Sequence, residues 1–224
     1  MFETCKILSE EILKKPESCR VVVEHLKWAM GALETGEVKS PKRQLIETGD
    51  RTNPRQLLNS LAYSEEKEVA LMKLTTLTPE NPKQGRVLIN GIACLIDLST
   101  GQPSLLVDGG HITGLRTGAM AALATQYLAR NPKTVCVIGC GVQAEWVIRA
   151  ILATHQTVQN IHLYSRSLSS AQALKDKLQA EHCVLFTVFQ NIEQVSDNAD
   201  VVCTTTSHQG QNPVMTEECA LEGN

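Results

Sequence analysis

The chain has 224 residues, 42% hydrophobic and 20% charged, with a formal net charge of −3. This is the composition of an ordinary globular protein, long enough to bury a substantial core in one large or two small domains. Its slight acidity gives no electrostatic reason to expect a nucleic acid or an anionic membrane as partner. No uncharged apolar run reaches the about 18 residues that a transmembrane helix needs. Met1-Phe2-Glu3-Thr4-Cys5-Lys6 lacks the basic region and apolar core of a secretory signal. The eight cysteines are scattered, none in a C-x-x-C pair and several within apolar runs. They read as buried free thiols of a reducing cytoplasm, not as disulfides or a metal site.

In chain order, residues 9–14 carry a short helical pattern and 17–33 a longer one, with Val21, Val22, Leu26, Ala29 and Leu33 at helical spacing. Gly36 stands where a helix C-terminus is capped. Ser40-Pro41 opens an extended segment, and the polar residues 49–56 read as a loop. Residues 57–63, 69–78, 87–98 and 103–107 read as strands joined by short turns, with Lys73 near the middle of the second. Such a succession predicts an antiparallel or mixed sheet. Residues 1–112 are therefore expected to form an α+β domain.

An Ala-rich apolar helix follows at 112–128, ended by Asn131-Pro132. From there strand and helix alternate: a strand running into the glycines at 139–144, a second strand at 161–164, a helix at 169–181, a third strand at 183–189, a short helix or turn at 191–198 and a fourth strand at 200–205. Alternation at this spacing specifies a parallel sheet with right-handed crossovers, an α/β fold of Rossmann type over residues 113–224. Residues 212–224 read as a loop and short helix. A doubly wound dinucleotide fold usually has about six strands, so this sheet is expected to be C-terminally incomplete and the domain truncated.

The stretch Gly139-Cys140-Gly141-Val142-Gln143-Ala144 follows an apolar β-branched run and precedes a helical pattern, the context that a dinucleotide-binding turn requires. Gly139 can take the positive φ of a sharp turn, and Gly141 has no side chain to keep a diphosphate from the backbone. Ala144 is the small residue that lets the helix lie close on the strand. A merely structural strand-to-helix turn is the alternative. Ser165-Arg166-Ser167 then ends the second strand, with Ser165 26 residues past Gly139, near the about 20 expected for the group that reads the adenosine ribose. An acid there would accept from a 2′-hydroxyl, whereas a guanidinium between two hydroxyls suits a 2′-phosphate. NADP(H) is thus expected over NAD(H), with a solvated loop arginine as the alternative.

With Lys73, Arg116-Thr117-Gly118-Ala119 and residues 139–144 in view, the chain resembles the ornithine cyclodeaminase/mu-crystallin family nearly end to end. Ser40-Pro41-Lys42-Arg43, Pro79-Glu80-Asn81, Val107-Asp108-Gly109 and Tyr127-Leu128-Ala129-Arg130 also take part in the match. The resemblance implies a homodimer through the first domain and chemistry on a small amino acid or the related cyclic imine. It also implies that Arg43 and Arg116 hold the substrate carboxylate, that Lys73 sits beside the reacting carbon, and that Thr117 faces the cofactor phosphates. Val142 and Gln143 in the turn, and Thr205 at the end of the fourth strand, complete the candidate cofactor set. The residue types suit these roles: guanidinium groups hold a carboxylate in fixed geometry, and a partly buried lysine can exchange a proton at nitrogen. Solvated surface cations are the alternative for all three.

Three activities are expected in order. The first is an NADP(H)-dependent oxidoreductase of the pyrroline-2-carboxylate or ketimine reductase type. The second is ornithine cyclodeamination, in which the cofactor is regenerated. The third is a truncated protein that binds NADPH without turnover. Cyclodeaminases of the family carry an acid where this chain has Ser165-Arg166-Ser167, and their chains continue past residue 224 into a further strand bearing a catalytic Asp.

Overall fold

The computed structural model describes residues 5–50, 53–207 and 214–215. They divide into two compact units, Met1–Ser18 with Glu24–Thr113, and Cys19–Val23 with Gly114–Asn224.

The first unit is built on β1 (Lys6–Leu8), α1 (Glu10–Leu13), most of α2 (Pro16–Thr35), β2 (Gln44–Asp50), β3 (Asn53–Ser64), β4 (Val69–Leu77), β5 (Ile89–Asp97) and β6 (Pro103–Asp108). Proline in its first turn and Gly36 at φ 79° bound α2, as a helix start and a left-handed cap require. The six strands form one mixed sheet in the order β1-β6-β5-β4-β3-β2. All neighbours are antiparallel except β1 and β6. The expected loop at 49–56 is instead the end of the β2–β3 hairpin, whose register runs to Asp50↔Asn53. Gly49 at φ 85° and the Asp50 carboxylate, which accepts from the Asn53 N–H at 2.9 Å, bend the chain there. Turn-forming residue types thus serve a strand end. Register also pairs Lys73 with Ser60 on one side and with Ala93 on the other.

Helix α3 (Gly109–Leu128) starts three residues before the expected position. Gly109 and Gly110 are poor helix formers, but a Cβ on Gly109 would lie 2.7 Å from the Gly91 carbonyl carbon and one on Gly110 3.0 Å from the Ile89 oxygen. The chain leaves β6 so close to β5 that only glycine passes.

In the second unit β7 (Thr134–Ile138), β8 (Asn160–Tyr164), β9 (Leu185–Phe189) and β10 (Val201–Thr204) form a four-stranded sheet in the order β10-β7-β8-β9, every pair parallel. The connections carry α4 (Val142–Thr154), α5 (Leu168–Gln179) and α6 (Ile192–Val195). Val135, Cys136, Val137 and Ile138 are all buried, which explains why β7 is apolar on both faces, as a covered central parallel strand must be. The Asp200 carboxylate accepts from the Lys133 and Thr134 N–H groups at 2.7 and 2.8 Å and fixes the start of β7. The expected loop and helix at 212–224 lie outside the described residues, apart from 214 and 215. Among the described residues no helix is long and apolar enough to cross a membrane.

A buried ionic clasp joins α4 to the end of α5. Arg149, 7% exposed, donates from Nε to Glu145 at 3.0 Å and from its two terminal nitrogens to Glu181 at 2.6 and 2.9 Å. Lys177 donates to the other oxygen of Glu145 at 2.8 Å. Burial works to raise Glu145, but hydrogen bonds from Lys177 and Arg149 outweigh it and hold the carboxyl below its ordinary value. Glu181 is lowered chiefly by its hydrogen bond from Arg149. Carboxyls lowered in the folded state contribute stability that is fully present above the ordinary carboxylate range and lost as pH falls through their depressed values. Replacing Arg149 by Met leaves Glu145 with one partner in a buried place. It is expected to cost roughly 3 kcal/mol at neutral pH and to shrink the loss on acidification, measured by urea unfolding at neutral and acidic pH.

Candidate functional site

At the end of β7 the chain turns at Gly139 with φ 97°, a left-handed conformation that glycine adopts without strain. Three bonds hold the turn. The Gly139 N–H donates to the Tyr164 carbonyl at 2.8 Å, and the Thr205 N–H donates to the Ile138 carbonyl at 2.8 Å. The Thr205 hydroxyl donates to the Gly139 carbonyl at 2.7 Å. A Cβ on Gly139 would meet the Thr205 carbonyl at 3.0 Å, whereas nothing lies within 4 Å of one on Gly141. Gly141 is the N-cap of α4 and offers no side-chain bond to the helix. The first N–H groups of α4 and the positive end of its dipole thus face open space, the arrangement that accepts a phosphate. Ala144 is fully buried, so the helix lies against the sheet.

This turn is one wall of a cleft of about 550 Å³ outside the carboxyl ends of the parallel strands, where open α/β sheets bind ligands. Tyr164, Ser165 and Arg166 from the end of β8 and Ser170 from α5 form a second wall. Thr205, Thr206 and Ser207 after β10, with Ile192 and Val214, form a third. Cys140 also lines the cleft, its thiol donating to the Tyr164 carbonyl at 3.5 Å. Burial pushes that thiol up to about 11 and those of Cys136 and Cys203 up to about 12 and about 11. All three stay neutral near a site suited to anions.

Of the residues singled out by sequence, Gly139, Gly141, Ser165, Arg166 and Thr205 line this one cleft. Three others do not. Val142 is 70% exposed, Gln143 donates from its amide to the Gly114 carbonyl at 3.3 Å, and the Ser167 hydroxyl caps α5 by accepting the Ser170 N–H at 3.3 Å. Arg116 and Thr117 stand on α3, exposed and half-buried. In the first unit the half-buried Lys73 donates to the Thr113 hydroxyl at 3.0 Å. That hydroxyl donates in turn to the Gly109 carbonyl at 2.7 Å. Arg43 directly precedes Gln44, which pairs with Asn59, while the adjacent Ser60 pairs with Lys73. Arg43 thus stands just outside the paired part of β2, on the strand side of β3 away from Lys73.

Sequence reasoning missed Thr113, Tyr164, Ser170, Thr206 and Ser207. For the last two a signal existed, since residues just past a parallel strand border the ligand crevice. Thr113 had none, its partner Lys73 being 40 positions away.

A Delta(1)-pyrroline-2-carboxylate reductase of Bacillus cereus (strain ZK / E33L) is 31% identical over 213 residues, which cover 95% of this chain and 64% of that protein. Among solved structures, Thermococcus litoralis Delta(1)-pyrroline-2-carboxylate reductase in complex with NADH and L-proline superposes with a TM-score of 0.80 at 28% identity, over 88% of this chain and 61% of that one. A lysine cyclodeaminase studied for recognition of L-lysine, L-ornithine and L-2,4-diaminobutyric acid gives a TM-score of 0.80 at 25% identity, over 95% and 63%. The chain thus spans a little under two thirds of the length of these relatives. The sequence profile of one family matches residues 1–224, and with the glycine turn, the parallel sheet and these likenesses the chain belongs to the ornithine cyclodeaminase/mu-crystallin family.

Proposed function

We propose that this chain provides the cofactor and substrate machinery of an NADP(H)-dependent oxidoreductase that reduces a small cyclic imino acid, as a pyrroline-2-carboxylate reductase does. The observation that carries the cofactor half is Arg166, which lines the cleft beside Ser165 and Ser170 with no acid between Tyr164 and Ala171. The open backbone at Gly141 and the uncapped start of α4 fit a diphosphate, and the Arg166 guanidinium fits a 2′-phosphate. When bound, the nicotinamide supplies or accepts the hydride. NADH in the Thermococcus litoralis reductase supports a nicotinamide cofactor; the preference for NADP(H) rests on Arg166.

The second unit is then the dinucleotide domain and the first the substrate and dimerisation domain, divided near residue 112. By family resemblance, Arg43 and Arg116 grip the carboxylate and aim the α-carbon, Thr117 meets the cofactor phosphates, and Lys73 moves a proton at the imine nitrogen. The bond from Lys73 to Thr113 fixes the direction of the ammonium group and supports such a role. Ornithine cyclodeamination is the second reading, favoured by the likeness to a lysine cyclodeaminase. It needs no net cofactor.

Fluorescence titration is expected to show NADPH bound at least about tenfold more tightly than NADH. Arg166→Ala should remove that margin by weakening NADPH alone, since a charge-assisted phosphate contact is worth about 1.5–3 kcal/mol. Equal or tighter binding of NADH overturns the cofactor assignment. With pyrroline-2-carboxylate, NADPH absorbance should fall in step with substrate consumed, and Arg116→Ala should raise KM by about tenfold or more. Ornithine turned to proline without NADPH loss would assign the cyclodeaminase. Thermal stabilisation by NADPH without any turnover would assign a binding protein. Strand β2 is an outer strand exposed along its whole length, an edge that invites cover by a second copy. Light scattering should report a dimer, and a Pro at Ile46 should shift it toward monomer.

A further inference from the structure

Helix α3 carries Gly114 and Gly118 four residues apart, and both face α4. A Cβ on Gly114 would lie 2.2 Å from Cδ1 and Nε1 of Trp146, and one on Gly118 would lie 2.3 Å from the Trp146 carbonyl oxygen and 3.0 Å from the Val147 nitrogen. Trp146 is 2% exposed, and Leu115 and Ala119 are fully buried, so the ring has no room to yield. Helices ordinarily pack about 8–10 Å apart; the absent side chains at these two positions let the backbones touch. Gln143, in the first turn of α4, adds its bond to the Gly114 carbonyl at 3.3 Å. Arg116 and Thr117 lie between the two glycines on α3, and α4 begins directly after Gly141.

We propose that this crossing is a positioning device: Gly114, Gly118, Trp146 and Gln143 set where Arg116 and Thr117 stand relative to the glycine turn. The helix that receives the diphosphate thereby also fixes the side chains assigned to carboxylate and phosphate. Trp146 and the glycines touch no reactant; they act through α3. The functional consequence rests on the role given to Arg116 above. It matters because a displacement of about 1 Å at a substrate-positioning group can cost about a hundredfold in rate. Neither helix can shift along the other without driving backbone into the indole.

The test uses the full chain in three forms, Gly114→Ala, Trp146→Leu and the double variant. Each is assayed for NADPH affinity, KM for pyrroline-2-carboxylate and amide hydrogen exchange over residues 114–119. Gly114→Ala is expected to raise KM by about tenfold, to speed exchange in that segment and to weaken NADPH binding by a smaller factor through Thr117. The double variant should recover most of these losses, because leucine lacks the rigid indole edge at Nε1 and can turn its δ-methyls away from the new methyl. Should Gly114→Ala fail to fold, Trp146→Leu and the double variant decide: near-normal KM in the double with raised KM in the single supports the device. Unchanged KM and exchange in Gly114→Ala, or effects that simply multiply in the double variant, overturn it. If the unaltered chain does not reduce the imino acid, the functional reading falls. The device is then judged on exchange alone, supported by faster exchange that the second substitution reverses and overturned by none.

Discussion

The left-handed turn at Gly139 is closed by a residue 66 positions downstream, the Thr205 hydroxyl on the Gly139 carbonyl. Most of what qualifies the second unit as a binding fold follows from that constraint. Thr205 arrives only when β10 is laid beside β7, in the register Thr204↔Ile138, so the closed turn cannot exist before the sheet does. The same contact dictates the residue at 139, since a Cβ there would press on the Thr205 carbonyl at 3.0 Å. A positive φ and a closed neighbour together leave glycine as the one fitting choice. Local backbone shape and global sheet order are thus two descriptions of one interaction.

Charge is distributed with matching economy. Among the described residues that line the cleft, Arg166 is the one formal charge, and the neighbouring thiols are kept neutral by burial. An anion entering the cleft meets the α4 dipole, backbone N–H groups and a single guanidinium, and among the described lining residues there is no carboxylate. Three carboxylates of this unit are engaged elsewhere: Glu145 and Glu181 bind Arg149, and Asp200 binds the backbone at the start of β7.

The glycine turn, the alternation of the second half and the basic residue at the end of β8 were legible because each is written in neighbouring residues. Apolar β-branched runs, small residues and a fixed spacing carry their own physics. What stayed hidden depends on partners distant in the chain. The polar stretch 49–56 has the composition of a loop, yet cross-strand register makes most of it strand. The start of α3 at Gly109 violates helix propensity because β5 passes too near for a side chain. Thr113 and Trp146 look like an ordinary polar residue and an ordinary core aromatic until Lys73 and Gly114 are seen beside them. Ser167 shows the reverse case. Its place in Ser165-Arg166-Ser167 pointed to a ligand, while its hydroxyl is spent on the helix that follows.

The parallel pairing of Lys6–Leu8 with β6 has a bearing on how the polypeptide matures. Strands β2 to β6 follow one another as hairpins and can zip up as they leave the ribosome, but β1 emerges first and its partner, centred on Leu106, comes almost last. Its backbone donors and acceptors wait unpaired through most of the synthesis of the first unit, and closure over so long a loop is the slow, entropically costly kind. That pairing makes β1 the final tile to be set in the sheet of the first unit.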